Sequence, residues 1–235
     1  MNSAVLYLIP TVISEGTEKS VLAPHVVEKL KPLRHFVAED VRSARRFLSS
    51  LKIFDSIEAL HFSVLNKDTR ESEIAALLSP LFSGESMGVL SESGCPGIAD
   101  PGAMAVNFAH QKNIKVIPLV GPSSILLALM ASGLNGQQFA FHGYLPIDQK
   151  ECAQKIKMLE KESALKNQTQ IFIETPFRNN QVLKNLLGSL SSTTMMSIAL
   201  DVTGKNEFIK TCSVSDWKKT AISLAKEPAV FSFLA

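Results

Sequence analysis

At 235 residues, with 46% apolar and 20% charged residues, the chain can bury a sizeable core, as one large domain or two small ones, and is too apolar to be disordered. A net charge of +2 does not suit a nucleic-acid coat protein, although a local basic patch is compatible with it. Cys95, Cys152 and Cys212 are odd in number and form no C-x-x-C pair, so neither a disulfide framework nor a structural zinc site is expected.

Met1-Asn2-Ser3-Ala4 carries no positive region before the first apolar run, and no run has the length of a membrane span. A soluble cytoplasmic protein is therefore expected. Val5–Ile9 reads as a strand closed by Pro10-Thr11, followed by a helix over Val21–Leu30 with Pro24 near its first turn. His35–Ala38 is a second strand, and Val41–Leu51 a helix that aims Arg42, Arg45 and Arg46 to one side. A third strand over Ile57–Val64 and a helix over Glu71–Leu81 lead to a fourth strand, Met87–Leu90. A helix over Pro101–Gln111 and a fifth strand over Ile114–Val120 complete this half. Alternating strands and helices with short connections predict a parallel, doubly wound sheet.

Gly121-Pro122-Ser123-Ser124 breaks the pattern, which places a boundary between domains 1–120 and 121–235. Ser123 or Ser124 caps a helix over Ile125–Ser132 that Gly133 ends. Further strands are expected over Gln138–His142, Gln170–Glu174, Met195–Leu200, Phe208–Cys212 and Ala229–Leu234, with helices over Lys150–Leu165, Arg178–Leu187 and Val214–Ala225. Leu200 and Phe208 are too close for a helix between their strands, so a hairpin joins them and the second sheet is mixed.

The stretch Ser91-Glu92-Ser93-Gly94-Cys95-Pro96-Gly97-Ile98-Ala99-Asp100-Pro101-Gly102 links a strand to a helix, the arrangement that binds ligands at the carboxyl end of α/β sheets. It matches neither phosphate-binding glycine motif and holds no Lys or Arg. Its charges, Glu92 and Asp100, suit a neutral or cationic ligand better than a nucleotide phosphate. A tight turn without a ligand is the competing reading.

Together with Leu6–Thr11, Ala38–Arg42, Val120–Ser124, Ala131–Leu134, Phe141–Pro146, Ile173–Arg178 and Asp201–Lys205, this loop resembles the tetrapyrrole (corrin/porphyrin) methylase-like family of S-adenosylmethionine-dependent methyltransferases. Within it, the segments are most similar to the branch that methylates a ribose 2′-hydroxyl of small-subunit ribosomal RNA. The resemblance implies two α/β domains, a parallel sheet then a mixed one, with a cofactor cleft between them, and a homodimer. It implies S-adenosyl-L-methionine contacts at Pro10, Ser91, Glu92, Ser93, Gly94, Pro96, Gly97, Ile98, Ser123, Ser124, Glu174 and Thr203. Glu39 and Asp100 are candidate bases or orienters, as is Asp40; Arg42 and Arg178 could position a phosphate or carboxylate. Cys95 stands where the family commonly has Thr, which argues against a nucleophile. The histidines show no metal spacing, so no metal is expected. Val12–Gly16, Val41, Leu65–Lys67 and the extra Gly204 depart from the branch's pattern. A tetrapyrrole or other small-molecule acceptor, or a cofactor-binding protein that has lost catalysis, are the alternatives to an rRNA or small-subunit substrate.

Overall fold

The structure is a computed structural model and describes residues 4–220 and 222–235. Met1, Asn2 and Ser3, part of the N-terminal reading above, and Ala221, inside the helix expected over Val214–Ala225, lie outside the described residues. Contacts divide the chain into two compact units, Met1–Ser123 and Ser124–Ala235.

The first unit holds strands β1 (Val5–Ile9), β2 (His35–Ala38), β3 (His61–Val64), β4 (Met87–Leu90) and β5 (Lys115–Pro118). They form one sheet in the order β3-β2-β4-β1-β5, with every neighbouring pair parallel. Helices α1 (Glu18–Val21), α2 (Pro24–Leu30) and α3 (Val41–Ser50) pack on one face, where Val26, Leu30, Phe47 and Leu48 meet Ile9 and Phe36. Helices α4 (Ile74–Leu77), α5 (Ser79–Phe82) and α6 (Gly102–Gln111) cover the other, where Ile74, Leu78, Ala105 and Ala109 meet Leu6, Val37 and Val89. Each large aliphatic side chain buried this way contributes about 1.5–3 kcal/mol. The doubly wound parallel sheet is as expected.

Two expected helices are broken. The segment expected as one helix over Val21–Leu30 is the end of α1 and a separate α2, because Pro24 opens a new first turn rather than continuing the old one. Glu71–Leu81 is a 3₁₀ turn over Glu71–Glu73, then α4 and α5, with Pro80 in the first turn of α5. The third strand is only His61–Val64.

The second unit starts with α7 (Ser124–Ser132) and contains β6 (Phe139–Phe141), α8 (Gln149–Lys166), β7 (Thr169–Glu174), α9 (Asn179–Ser189), β8 (Met195–Leu200), β9 (Phe208–Ser213), α10 (Val214–Lys219) and β10 (Ala229–Leu234). Its sheet runs β6-β7-β10-β8-β9. Only β6 and β7 are parallel; the other pairs are antiparallel, including the β8–β9 hairpin, so the sheet is mixed as expected. Helix α10 ends at Lys219 instead of Ala225. Gly133, at φ +70°, ends α7, as the left-handed region demands of a glycine.

Among the described residues, no helix is long and apolar enough to cross a membrane.

Candidate functional site

Strand register gathers the candidate residues of the first unit. Leu90 of β4 lies opposite both Ile9 of β1 and Ala38 of β2. Pro10-Thr11, Glu39-Asp40 and Ser91-Glu92 therefore leave the sheet side by side at its carboxyl edge. Leu8 pairs with Pro118, which brings the segment before Ser123 to the same edge.

The Ser91–Gly102 loop is shaped by its main chain. The Thr11 hydroxyl lies 3.4 Å from Ser91 Oγ, and Ser91 Oγ donates to the Gly94 carbonyl at 3.0 Å. That carbonyl also accepts from the Thr11 N–H at 2.9 Å. Gly94 and Gly97 sit at φ +73° and +82°, and Ala99 follows at +55°. A non-glycine residue in the left-handed region costs about 1–2 kcal/mol, so this loop stores strain in the way functional loops do. A Cβ on Gly94 would come within 3.2 Å of the Pro122 carbonyl. The glycines are thus required by the loop's own path, before any ligand is considered. Gly121 packs on Pro10, where an added Cβ would stand 2.1 Å from the proline Cβ.

Asp100 braces the loop from within. Its Oδ1 accepts from the N–H groups of Gly97 and Gly102 at 2.9 and 2.7 Å. Burial raises its pKa, and those two N–H groups oppose the rise. Glu39 is pushed above the ordinary carboxylate range by burial, then by the neighbouring charges of Glu92 and Asp100, with Lys67 pulling the other way. Asp40 differs from its neighbour: its Oδ1 accepts from the Ser43 N–H at 2.6 Å and caps α3, which lowers its pKa. Burial raises the Cys95 thiol, whose Sγ lies 3.3 Å from the Pro122 carbonyl. A thiol so placed is a packed group and a poor nucleophile.

The three arginines of α3 do not act as one patch. Arg46 pairs with Glu15 at 2.8 Å, and Arg45 lies over the Phe62 ring at 5.3 Å. Arg42, exposed in the first turn, adds a charge that lowers the pKa of Asp40.

In the second unit, Glu174 ends β7 with its side chain fully buried and Arg178 3.2 Å away. Its Oε1 accepts from the Thr175 N–H at 2.7 Å, while Oε2 is buried with no hydrogen bond. Arg178 also donates to the carbonyls of Leu145 and Pro146, so it ties the end of β7 to the loop after β6. Thr203, at φ +71°, lies in the turn between β8 and β9 and donates its N–H to Glu207 at 2.7 Å. Ser124 opens α7. Among the described residues, no group of three or more His, Cys, Asp or Glu side chains could hold a metal.

Glu92 and Asp100 share a loop in the sequence, and Glu39, from the end of β2, joins them through the strand register, in which Leu90 faces Ala38. A cavity of about 460 Å³, bounded by Thr11–Glu18, one side of α3 and Glu92, was not expected from the sequence. Its walls come from three distant segments, and no local pattern announces them.

No family model matches the sequence. The chain is 33% identical over 207 residues to the ribosomal RNA small subunit methyltransferase I of Vibrio cholerae, a similarity covering 88% of this chain and 67% of that protein. The chain belongs to this family. The relative of the same name from Xylella fastidiosa is 32% identical over 84% of this chain and 68% of its own length. The one from Escherichia coli O157:H7 is 29% identical over 90% of this chain and 70% of its own length. Family membership makes the chain a methyltransferase, as the motif resemblance implied. Among solved structures, uroporphyrin-III C-methyltransferase of Thermus thermophilus matches with a TM-score of 0.56, covering 99% of this chain and 92% of that one. The methyltransferase CobJ matches with a TM-score of 0.61, covering 98% and 93%. Both are 15% identical to this chain, and they fix the fold: the tetrapyrrole methylase architecture expected from the motifs.

Proposed function

We propose that this protein transfers a methyl group from S-adenosyl-L-methionine to a ribose 2′-hydroxyl of small-subunit ribosomal RNA. The observation that carries the reading is the similarity to the Vibrio cholerae enzyme over 88% of the chain. The loop's chemistry fits the donor. Burial, then the neighbouring charges of Glu92 and Asp100, raise the pKa of Glu39, so this part of the carboxyl edge carries a negative field suited to a sulfonium cation.

When bound, the donor supplies an electrophilic methyl on a cationic sulfur. The backbone of Ser91–Ile98, with Pro10 and Ser123, is our proposed contact surface in the first unit; Ser124, Glu174 and Thr203 are the proposed contacts in the second. In-line displacement rewards alignment, and a main-chain surface braced by Asp100 gives a fixed one. Asp100 accordingly serves as a positioning residue. Glu39 takes the hydroxyl proton: its raised pKa makes it a better proton acceptor than an exposed carboxylate. Arg42 is assigned to a backbone phosphate of the RNA. A cytoplasmic homodimer completes the proposal; Val120, Met130 and Leu165 are large apolar side chains that the single chain leaves exposed and that a second copy could cover.

The test is incubation with tritiated donor and either unmodified small ribosomal subunits or a precorrin. Label in a ribose 2′-oxygen is expected. Label in the macrocycle, or donor binding with transfer to neither, would replace the reading with a tetrapyrrole methylase or a binding protein. Glu39→Gln should lower kcat at least about a hundredfold. The wild-type acid limb of kcat should lie above the ordinary carboxylate range and be absent from the variant.

A further inference from the structure

The donor loop accounts for one side of Thr11; the other side opens on the cavity of about 460 Å³. That volume is within the range of about 300–1,000 Å³ typical of small-molecule sites. Val12, Ile13 and Phe47 give it apolar walls, Arg46 and Ser50 stand on α3, Glu15 and Glu18 come from the segment after β1, and Glu92 reaches it from the donor loop. It is thus continuous with the loop through two residues: Thr11, whose N–H bonds the Gly94 carbonyl, and Glu92.

Arg46 is the single Lys or Arg in this lining, and Glu15 holds it. The pair measures 2.8 Å, with the arginine side chain 69% and the glutamate side chain 80% exposed. An ion pair so exposed adds little to stability, and a phosphate, which can take two guanidinium hydrogen bonds at once, competes with the Glu15 carboxylate for Arg46. Apolar side chains beside a displaceable guanidinium match a nucleobase and its phosphate. The alternative ligand, the methionine carboxylate of the donor, would use Arg46 equally well but would leave the apolar walls without a function.

We infer that this cavity binds one ribonucleotide of the substrate RNA, its base against Val12, Ile13 and Phe47 and its phosphate on Arg46, with Glu15 as the carboxylate that the phosphate displaces. The inference rests on the RNA methyltransferase reading, because it assigns to the acceptor a site that shares a wall with the donor loop.

The experiment uses the full chain saturated with S-adenosylhomocysteine and measures affinity for the four ribonucleoside 5′-monophosphates by calorimetry, beside methyl transfer to small ribosomal subunits. Ser50→Trp fills the cavity from the exposed last turn of α3; Ser49→Trp, also exposed and outside the lining, is the control. Ser50→Trp and Arg46→Glu should each weaken monophosphate binding at least tenfold and raise the KM for ribosomal subunits while kcat changes little. Glu15→Gln should tighten binding severalfold, a gain that a purely structural role for the ion pair would not give. Affinity for S-adenosylhomocysteine should stay within twofold throughout. Unchanged monophosphate affinity in Ser50→Trp and Arg46→Glu, or no binding by the wild type at millimolar concentration, overturns the inference. So does a parallel loss of S-adenosylhomocysteine affinity, which would give the cavity to the donor. If the wild type methylates no RNA yet the variants lose monophosphate binding, the nucleotide site stands and the RNA methyltransferase reading falls. Normal RNA methylation by every variant removes the site alone.

Discussion

The two units hold their candidate residues by opposite means. In the first, the loop after β4 is a main-chain object: positive-φ glycines, a carbonyl accepting two hydrogen bonds, and the Asp100 carboxylate turned inward onto N–H groups. In the second, the end of β7 depends on side chains, with a fully buried glutamate beside an arginine that reaches two carbonyls. A main-chain surface tolerates changes of side chain and fails when its torsions are denied. A buried charge pair tolerates backbone adjustment and fails when one partner is removed. The contrast follows from topology: parallel strands ending at one edge deliver loops, whereas a mixed sheet with α9 starting soon after β7 delivers side chains on a rigid frame.

Denying the torsion should have the largest effect. Gly94→Val forces a β-branched residue to φ +73° and sets its Cβ 3.2 Å from the Pro122 carbonyl, a strain of about 3 kcal/mol that a displaced loop relieves; restoring the native path on binding then costs up to about a hundredfold in donor affinity. Calorimetry with S-adenosylhomocysteine measures it, and undiminished affinity would remove the loop from the site. Removing the buried charge comes next. Glu174→Ala takes away the acceptor of the Thr175 N–H and the partner of Arg178, and should lower stability by about 2 kcal/mol in urea unfolding. A neutral result would mean that Arg178 is satisfied by Leu145 and Pro146 alone.

Asp100→Asn should cost about 1 kcal/mol, since an amide oxygen still accepts the two N–H bonds. Its pH dependence is the sharper reading. Burial raises the folded-state pKa of Asp100, so its protonation favours the folded state; that contribution is present at low pH and is lost as pH rises through the folded-state value. The stability of the wild type relative to the variant should accordingly fall as pH rises through the carboxylate range. The smallest effect belongs to Ser93→Ala, at an exposed position of the loop: donor affinity within about twofold, as for a surface change of about 0.5 kcal/mol. A large loss there would show that side chains, and not the main chain, carry this wall.

Much of the fold was legible because apolar runs of strand length punctuated by Pro and Gly leave few alternatives. Val5–Ile9, His35–Ala38, Met195–Leu200 and Ala229–Leu234 are strands over the residues expected. The helix boundaries failed at proline: Pro24 lies in a first turn as expected, but its helix starts there and not at Val21, and Pro80 begins a first turn inside the span expected as one helix. A window of apolar periodicity runs across such a junction without registering it. In the site, the glycine loop was visible, but the torsions that demand its glycines were not. Gly94 and Gly97 were read as part of a ligand-binding loop, and their positive φ, with the Pro122 carbonyl beside Gly94, adds a requirement of the loop's own path that spacing does not reveal. The grouping of Glu39 with Glu92 and Asp100 depends on Leu90 facing Ala38 across the sheet, which is information about register that no single segment contains.

That dependence also bears on when the site comes into being. The loop's supports reach from Ser91 back to Thr11, 80 residues away, and from Cys95 forward to Pro122, 27 residues away. Contacts so distant form only after their closure entropy has been met by the sheet itself. During synthesis, a chain that has not yet extended past Pro122 would have β1 and β4 available to pair, yet lack the carbonyl against which Gly94 and Cys95 rest. The Ser91–Gly102 loop therefore belongs to the late, long-range stage of folding, and donor binding at the surface proposed for it would report completion of the first unit rather than the start of its assembly.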